Sequence, residues 1–389
     1  MKKKIIFIIE SFIVGGAEKM LIDIVNHLDP DLYDITVCSI YKYSVYPNYE
    51  RYYDKQFKEH IHYKYVINNH KHLCYRLSSY MLNRFPSLFY KIMIGNQYDT
   101  IIAFYEGQPT HLVGSANIKG KKIAWLHTLT EYSQKNKTNE SLINEKKIYQ
   151  AFDQIVAVSK SVLESFNAKF QIQKQKCSVI YNSIDTSKIN LKKNEIINYN
   201  LIKDDNRPLL ISVGRLTKVK GYDRIIKVAS KLKEKGYSFT WWIIGDGDEK
   251  SWLQKEIENK KLTSNIVLLG HQSNPYPFIK QADCFISASY IEGLNITLLE
   301  AMALNIPVLV SDIPAHKEVL SYENILGGYL FKNESDLLSI LEKYLKGHLN
   351  IKKYTPVANQ IIHQKFLCQI HLRAEPDVGI LVRLLRIRA

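Results

Sequence analysis

At 389 residues the chain is too long for one ordinary hydrophobic core, so two domains are expected. A hydrophobic content of 46% reads as soluble and globular, and no stretch approaches the ~18 apolar residues of a membrane-crossing helix. The net charge of +15 points to an anionic partner (a phosphorylated ligand, an acidic membrane surface or nucleic acid) without choosing among them.

In chain order, the opening MKKKIIFIIESFIVGG pairs lysines with an apolar run. The run is short and no small-residue cleavage site follows, so Ile5 to Ile9 is expected as a buried parallel strand rather than a signal peptide. Gly15-Gly16 follows, then a helix with Met20, Leu21, Ile24, Val25 and Leu28 at helical spacing. Strand, glycine loop and helix open a mononucleotide-binding unit. Further strands are expected at 35–40, 100–104, 123–126 and 154–158, with Ser159 capping a helix through Phe166. This alternation predicts an open α/β domain over 1–185, followed by a polar linker over 186–206. From Leu209 the alternation repeats, with strands at 241–245, 266–270, 284–289 and 308–312 and helices at 225–232 and 252–260. A second α/β domain over 207–369 results, and the fold class is two Rossmann-like doubly wound domains facing across a cleft. Residues 370–389 form a basic, apolar tail that matches no expected element.

The segment from Tyr41 to Tyr98 breaks the alternation, being dense in tyrosine and basic. Leu73, Leu77, Tyr80, Met81, Phe85 and Leu88 mark an apolar helical face beside Lys71, Arg76, Arg84 and Lys91. Two readings stay open: a basic amphipathic helix lying on an acidic membrane surface, and an ordinary half-buried helix. Cys38, Cys74, Cys177, Cys284 and Cys368 are scattered, without CxxC or His-flanked metal spacing, and fit a reducing cytoplasm.

Chemistry gathers at expected strand ends. Gly15-Gly16 lets backbone approach a diphosphate, though a plain tight turn explains it equally. In SVGRLTKVKG (212–221), Arg215 and Lys220 leave a strand on a loop bounded by Gly214 and Gly221, placed to converge on one diphosphate. In SYIEGLNITLLEAMAL (289–304), Glu292 precedes a Gly293-Leu294-Asn295 turn, Asn295 caps a helix, and Asn305 and Pro307 stop it. The N-terminus of that helix favours an anion, and Glu300, one to two turns inside, suits the hydroxyls of a ribose. The alternative is an ordinary helix with a solvated face. Asp246 and Asp248 resemble a metal-binding carboxylate pair, but a strand-to-helix turn accounts for them and no metal is expected. His127, ending IAWL, can meet a sugar hydroxyl or be a buried structural histidine, and Glu106 stands at another strand end.

Together, GGAE (15–18), KKIAWLHT (121–128), VIYNSID (179–185), SVGRLTKVKG (212–221), IIGDGDE (243–249) and EGLNITLLEAMALNIPVLVSD (292–312) resemble the retaining glycosyltransferases of family 4, which have the two-domain GT-B fold. WLHT with the upstream AFYEG resembles the bacterial members that build capsule, lipopolysaccharide and other envelope glycans. The resemblance implies a nucleotide-sugar donor, UDP- or GDP-linked, and no cofactor or metal, the GDG turn being structural. By the same resemblance Gly15, Gly16, Gly214, Arg215, Lys220 and Thr297 meet the diphosphate and Glu300 holds the ribose. Glu292 with Gly293, Leu294 and Asn295 grips the sugar, His127 lies against it, and Glu106 lies on the acceptor side. Catalysis would rest on His127, Arg215, Lys220 and Glu292, with front-face attack and the leaving phosphate taking the acceptor proton. Members end with a helix crossing back onto the first domain, a pattern that 370–389 does not carry. The expected protein is a cytoplasmic transferase at the inner face of the plasma membrane, acting on a glycan or lipid-linked acceptor. Its rivals are an inactive GT-B partner subunit and a UDP-sugar epimerase. Nucleic acid is not expected as a partner, because the charge is diffuse and no base-stacking module is present.

Overall fold

Continuous apolar runs bury on both faces only in the middle of a parallel sheet, and the first strand does so. In β1 (Lys3–Ile9) every residue from Ile5 to Ile9 is buried. The computed structural model describes residues 1–12, 15–42, 56–68, 72–133, 138–196, 206–323 and 325–366. The described residues divide into two compact units, the first over 1–182 and the second over 183–366.

In the first unit β1 is joined by β2 (Tyr33–Tyr41), β3 (Ile61–Ile67), β4 (Thr100–Ala103), β5 (Lys121–Leu126), β6 (Gln154–Ala157) and β7 (Cys177–Val179). They form a seven-stranded sheet in the order β3-β2-β1-β4-β5-β6-β7, and every pairing is parallel. The second unit holds β8 (Leu209–Val213), β9 (Thr240–Ile244), β10 (Ile266–Gly270), β11 (Cys284–Ser287) and β12 (Val308–Ser311). A two-residue hairpin follows, β13 (Ser321–Tyr322) with β14 (Ile325–Leu326), and then β15 (Tyr329–Phe331). Its main sheet runs β10-β9-β8-β11-β12-β15, again parallel. Both units are Rossmann-like. In each the strand order reverses beside its first strand, between β1 and β4 and between β8 and β11. Ligands of such sheets bind outside the strand C-termini at that reversal.

The expected strands are present with ends shifted by a residue or two, as helix and strand ends commonly are. Three strands carried no clear signal. In β3 only Ile61 and Ile67 are buried, and β7 and β15 are three-residue strands at sheet edges. The single amphipathic helix expected around Leu73 to Leu88 is instead two, His72–Arg84 and Pro86–Met93. Pro86 starts the second, and Phe85 before it leaves helical geometry at φ −135° and ψ 53°, as the residue preceding proline tends to. In the expected linker, Thr186–Lys192 is a helix capped by Asp185, with Ile189 buried. Residues 197–205, Lys71, Cys368 and the tail 370–389 lie outside the described residues.

Backbone packing sets the loop after β8. Leu216 N–H donates to Asp246 O at 2.9 Å, and Glu249 N–H donates to Leu216 O at 2.9 Å. Gly245 (φ +151°) and Gly247 (φ +156°) make this approach possible, since a side chain on either would overlap the carbonyl of Gly214 or Leu216. The GDG turn is therefore a fitted support for the loop carrying Arg215. Asp246 is occupied by the backbone N–H of Gly247 and the ammonium of Lys250, each at 2.8 Å. A Gly245→Ala substitution is expected to cost about 2 kcal/mol or more through φ strain and the overlap with Gly214 O, read as a lower urea midpoint at unchanged m.

Candidate functional site

In the second unit, side chains from β8 and β11 converge at the reversal of strand order. The chain leaves β8 through Gly214 and Arg215 into a short helix, Lys218–Lys220, closed by Gly221 at φ +70°. A Cβ at Gly221 would overlap Ala288 O, so only glycine lets this loop press against the exit of β11. Lys220 then faces Glu292, its Nζ lying 2.7 Å from Oε1 and 2.9 Å from Oε2. Ser289 donates to the same Oε1 at 2.7 Å. Glu292 is buried. Burial alone would raise its pKa, but the charge of Lys220, with smaller help from His316 and the hydrogen bonds of Lys220 and Ser289, holds it below the usual carboxylate range.

The turn after Glu292 is fixed as the sequence suggested. Asn295 caps the helix Ile296–Ala303, its Oδ1 accepting from Leu298 N–H at 3.1 Å. Asn305, in left-handed geometry at φ 63°, follows the helix end. The Thr297 hydroxyl lies 3.1 Å from Val213 O and 2.8 Å from Asn295 Oδ1, which ties the helix start to the end of β8. Glu300 is buried, with the Tyr276 hydroxyl donating to its Oε1 at 3.1 Å. Tyr222 donates to Gly214 O at 2.9 Å. Arg215, by contrast, is exposed, and forms no ion pair among the described residues. The structure thus brings Gly214, Lys220, Glu292, Asn295 and Thr297 into one network. It leaves the guanidinium of Arg215 to solvent.

In the first unit, Gly15 precedes the helix Gly16–His27 after β1, and Glu106 follows β4. Glu106 Oε1 accepts from His127 N–H at 2.7 Å, Thr128 N–H at 2.8 Å and the Thr128 hydroxyl at 3.2 Å, binding the exit of β5 to that of β4. Its Oε2 is buried with no hydrogen-bond partner. Burial pushes this carboxyl up to about 7 against the pull of those N–H groups. The His127 ring lies near-parallel to Tyr105, centroids 5.6 Å apart, and also contacts Phe104 and Trp125. Burial drives its pKa down to about 3, so the imidazole is neutral, and Nε2 has no partner.

Several contributors carried no sequence signal. Ser289, Tyr222, Tyr276 and His316 enter the network from elements whose pairing depends on the fold. Arg224 is a further case. Buried between the rings of Tyr290 and Phe331, it donates to Ala288 O at 3.2 Å and Lys332 O at 3.0 Å, and so steadies the exit of β11. Its place two residues into the helix Tyr222–Glu234 reads as a solvated face.

Residues 14–188 match the family model described as Glycosyltransferase Family 4, and residues 193–356 match that described as Glycosyl transferases group 1. Both halves of the chain carry glycosyltransferase domains. Curated relatives include the N-acetylgalactosamine-N,N'-diacetylbacillosaminyl-diphospho-undecaprenol 4-alpha-N-acetylgalactosaminyltransferase of Campylobacter jejuni. It is 31% identical over 236 residues, which cover 59% of this chain and 62% of that one. The O-antigen biosynthesis glycosyltransferase WclY of Escherichia coli is 30% identical over 210 residues, 53% of this chain and 56% of that one. The chain spans only 48% to 62% of the length of these and the similarly matched Methanocaldococcus jannaschii glycosyltransferase MJ1059. Among solved structures, Anabaena HepE in complex with UDP and glucose superposes with a TM-score of 0.70 at 17% identity, covering 94% of this chain and 96% of that one. Sucrose-phosphate synthase of Thermosynechococcus elongatus gives a TM-score of 0.72 at 15% identity, covering 94% and 95%. The fold of these glycosyltransferase domains is GT-B.

Titration of Glu106 gives a test within the first unit. Its folded pKa is raised, so the stability it contributes is complete below its unfolded value of 4.5 and is lost as pH rises through about 7. Relative to Glu106→Gln, the unmodified protein should therefore lose stability between pH 4.5 and 7, measured by urea unfolding across that range.

Proposed function

We propose that this protein is a retaining glycosyltransferase that moves a sugar from a UDP- or GDP-linked donor to an envelope-glycan or lipid-linked acceptor. One observation carries the reading: cationic Lys220, fixed by buried Glu292, and exposed Arg215 stand on the same loop, the one that leaves β8 where the second sheet reverses its strand order. Two cations at that point suit a diphosphate, whose negative charge grows as the nucleotide leaves. Glu292 uses three of its roughly four acceptor positions on Lys220 and Ser289, which leaves one on Oε2 for a donor hydroxyl. Glu300 supplies the ribose contact from inside the helix. The Gly293–Asn295 turn offers backbone to the sugar, and Thr297 lies at the start of the helix for the phosphates. In the first unit Gly15 and Gly16 offer backbone to a phosphate, while neutral His127 and the raised-pKa carboxyl of Glu106 stand at its strand ends. Retention then follows from attack on the face the diphosphate leaves, with a phosphate oxygen accepting the acceptor proton. In this reading the positive charge comes from side chains, and no metal is required. Two relatives named for such acceptors, an undecaprenol-linked transferase and an O-antigen enzyme, support an acceptor of the envelope-glycan class.

The test is a panel of nucleotide sugars offered to the full-length protein, scoring saturable binding and slow release of the nucleoside diphosphate. Arg215→Ala and Glu300→Ala should each lower transfer by about 10²–10³-fold while the protein stays folded. Unchanged turnover in both removes this site assignment, and no binding of any donor favours an inactive GT-B partner subunit. An exchange of sugar epimers without transfer would make the protein an epimerase.

A second element of the proposal concerns place: the protein works at the cytoplasmic face of an anionic membrane. No helix among the described residues is long and apolar enough to cross a membrane. Leu77 and Tyr80 of the helix His72–Arg84, Phe85 after it, and Leu88 and Ile92 of the helix Pro86–Met93 are exposed, while Leu82 and Tyr90 on the opposite side are buried, so the two helices are half-buried and leave an apolar face outside. Arg76, Arg84 and Lys91 lie on the same two helices. Apolar and basic side chains together suit a surface of anionic headgroups over acyl chains. Reversing the charges of Arg76, Arg84 and Lys91 should release the protein from phosphatidylglycerol vesicles in a sedimentation assay, by about 1 kcal/mol per residue. Unaffected binding would leave these basic helices a structural role only.

A further inference from the structure

His316 lies in the helix Pro314–Leu320, just after β12, and is completely buried. No sequence motif singled it out. Its ring stands between two groups whose hydrogen-bonding roles are set elsewhere. Nδ1 is 2.9 Å from Ser311 O, a carbonyl that can only accept, so Nδ1 carries the proton. Nε2 is then bare, and lies 3.0 Å from Asn295 Nδ2. The orientation of the Asn295 amide is fixed independently. Leu298 N–H can only donate, so the atom it meets at 3.1 Å is Oδ1, and Nδ2 must face His316. Nδ2 also lies 3.1 Å from Ser287 Oγ. A single consistent chain of donors and acceptors thus runs from Ser311 through His316 and Asn295 to the first turn of the helix Ile296–Ala303.

We propose that His316 is a positioning residue of the donor site: its bare Nε2 holds the Asn295 side-chain amide and thereby fixes the Gly293–Asn295 turn beside Glu292. This rests on reading the second unit as the nucleotide-sugar site. Three features support it. Asn295 is buried and its four polar contacts draw on β11, the following helix and His316, so losing the His316 contact leaves a buried N–H₂ donor underused. The ring must be neutral to accept from Asn295. Burial drives its pKa down to about 4, against the opposing pull of Glu292 and the Ser311 carbonyl and with the help of Lys220. The loop it fixes also carries the carboxylate that holds Lys220, so a shift of Asn295 is passed directly to the charged pair. The protonated ring would turn a donor toward a donor and undo the arrangement.

Two substitutions separate this role from simple core filling. His316→Gln offers an amide oxygen to Asn295 and an N–H to Ser311 O, whereas His316→Leu fills the space with no acceptor. Binding of UDP and GDP would be titrated calorimetrically for the unmodified protein and both variants, with thermal unfolding of each. Affinity for the nucleotide bound by the unmodified protein should fall about tenfold or more in the Leu variant, the scale lost when a group that orients a binding residue is removed, and recover in the Gln variant. Equal affinity in all three overturns the proposal, as does a folded Gln variant that binds no better than Leu. Two NMR readouts stand apart from nucleotide binding. The ¹⁵N pattern of His316 should show protonated Nδ1 and bare Nε2, and the Leu298 amide should lose protection from exchange in the Leu variant only. If the unmodified protein binds neither nucleotide, the donor-site reading fails. The proposed hold on Asn295 is then judged by these signals: the expected pattern supports it, and a protonated Nε2 or unchanged Leu298 protection overturns it.

Discussion

A carboxylate that stays ionised when buried beyond the strand ends of a sheet needs a cation, and the second unit is organised by how Glu292 finds Lys220. An unpaired ion there would cost several kcal/mol, so the two loops that meet are not free to choose their shapes. Lys220 reaches Glu292 because Gly221 turns left-handed against Ala288, and Glu292 is presented by an exit of β11 that Arg224 and Ser289 hold in place. The ion pair therefore joins β8 to β11, the two neighbours between which the strand order reverses. The same geometry that creates a crevice for a ligand also supplies the charge for it.

The first unit solves the corresponding problem with opposite means. At its own reversal the polar groups are nearly neutral. Glu106 is satisfied on one oxygen by backbone N–H groups of the next strand exit, and His127 is sealed among aromatic rings. A carboxyl whose ionisation burial holds back to about pH 7 and a neutral imidazole suit hydroxyl groups, which need hydrogen bonds and no counter-charge. A lysine fixed by a buried carboxylate suits an anion. The two reversals of strand order thus carry different chemistry.

Much of this was legible in the sequence, for identifiable reasons. Central strands such as β1 and β9 carry unbroken apolar runs because both faces are covered: Ile5–Ile9 and Trp241–Ile244 are buried without a break. Asn295 was readable as a cap because its role is local, spent on an N–H three residues on. Of the four edge strands of the two main sheets, β3, β7 and β15 were not readable. β3 buries only its two ends, so nothing in IHYKYVI distinguishes it from a loop rich in tyrosine. Nor did the apolar spacing from Leu73 to Leu88 reveal that Pro86 splits the segment, since spacing reports faces and not continuity. His316 and Tyr276 were invisible for a deeper reason. Their partners, Asn295 and Glu300, lie 21 and 24 positions away, and only the folded sheet makes them neighbours.

The loop after β8 has a backbone held by other backbone: Leu216 is gripped by the GDG turn on both its N–H and its carbonyl. Arg215, one residue earlier, contributes nothing to that grip and projects into water. Position 215 is accordingly a place where chemistry and folding are uncoupled. A new side chain there inherits a finished loop, so variation at this point can explore different phosphate or sugar contacts without first risking the domain that displays them. Lys220 and Glu292 enjoy no such latitude, because each is at once a piece of the scaffold and a piece of the site.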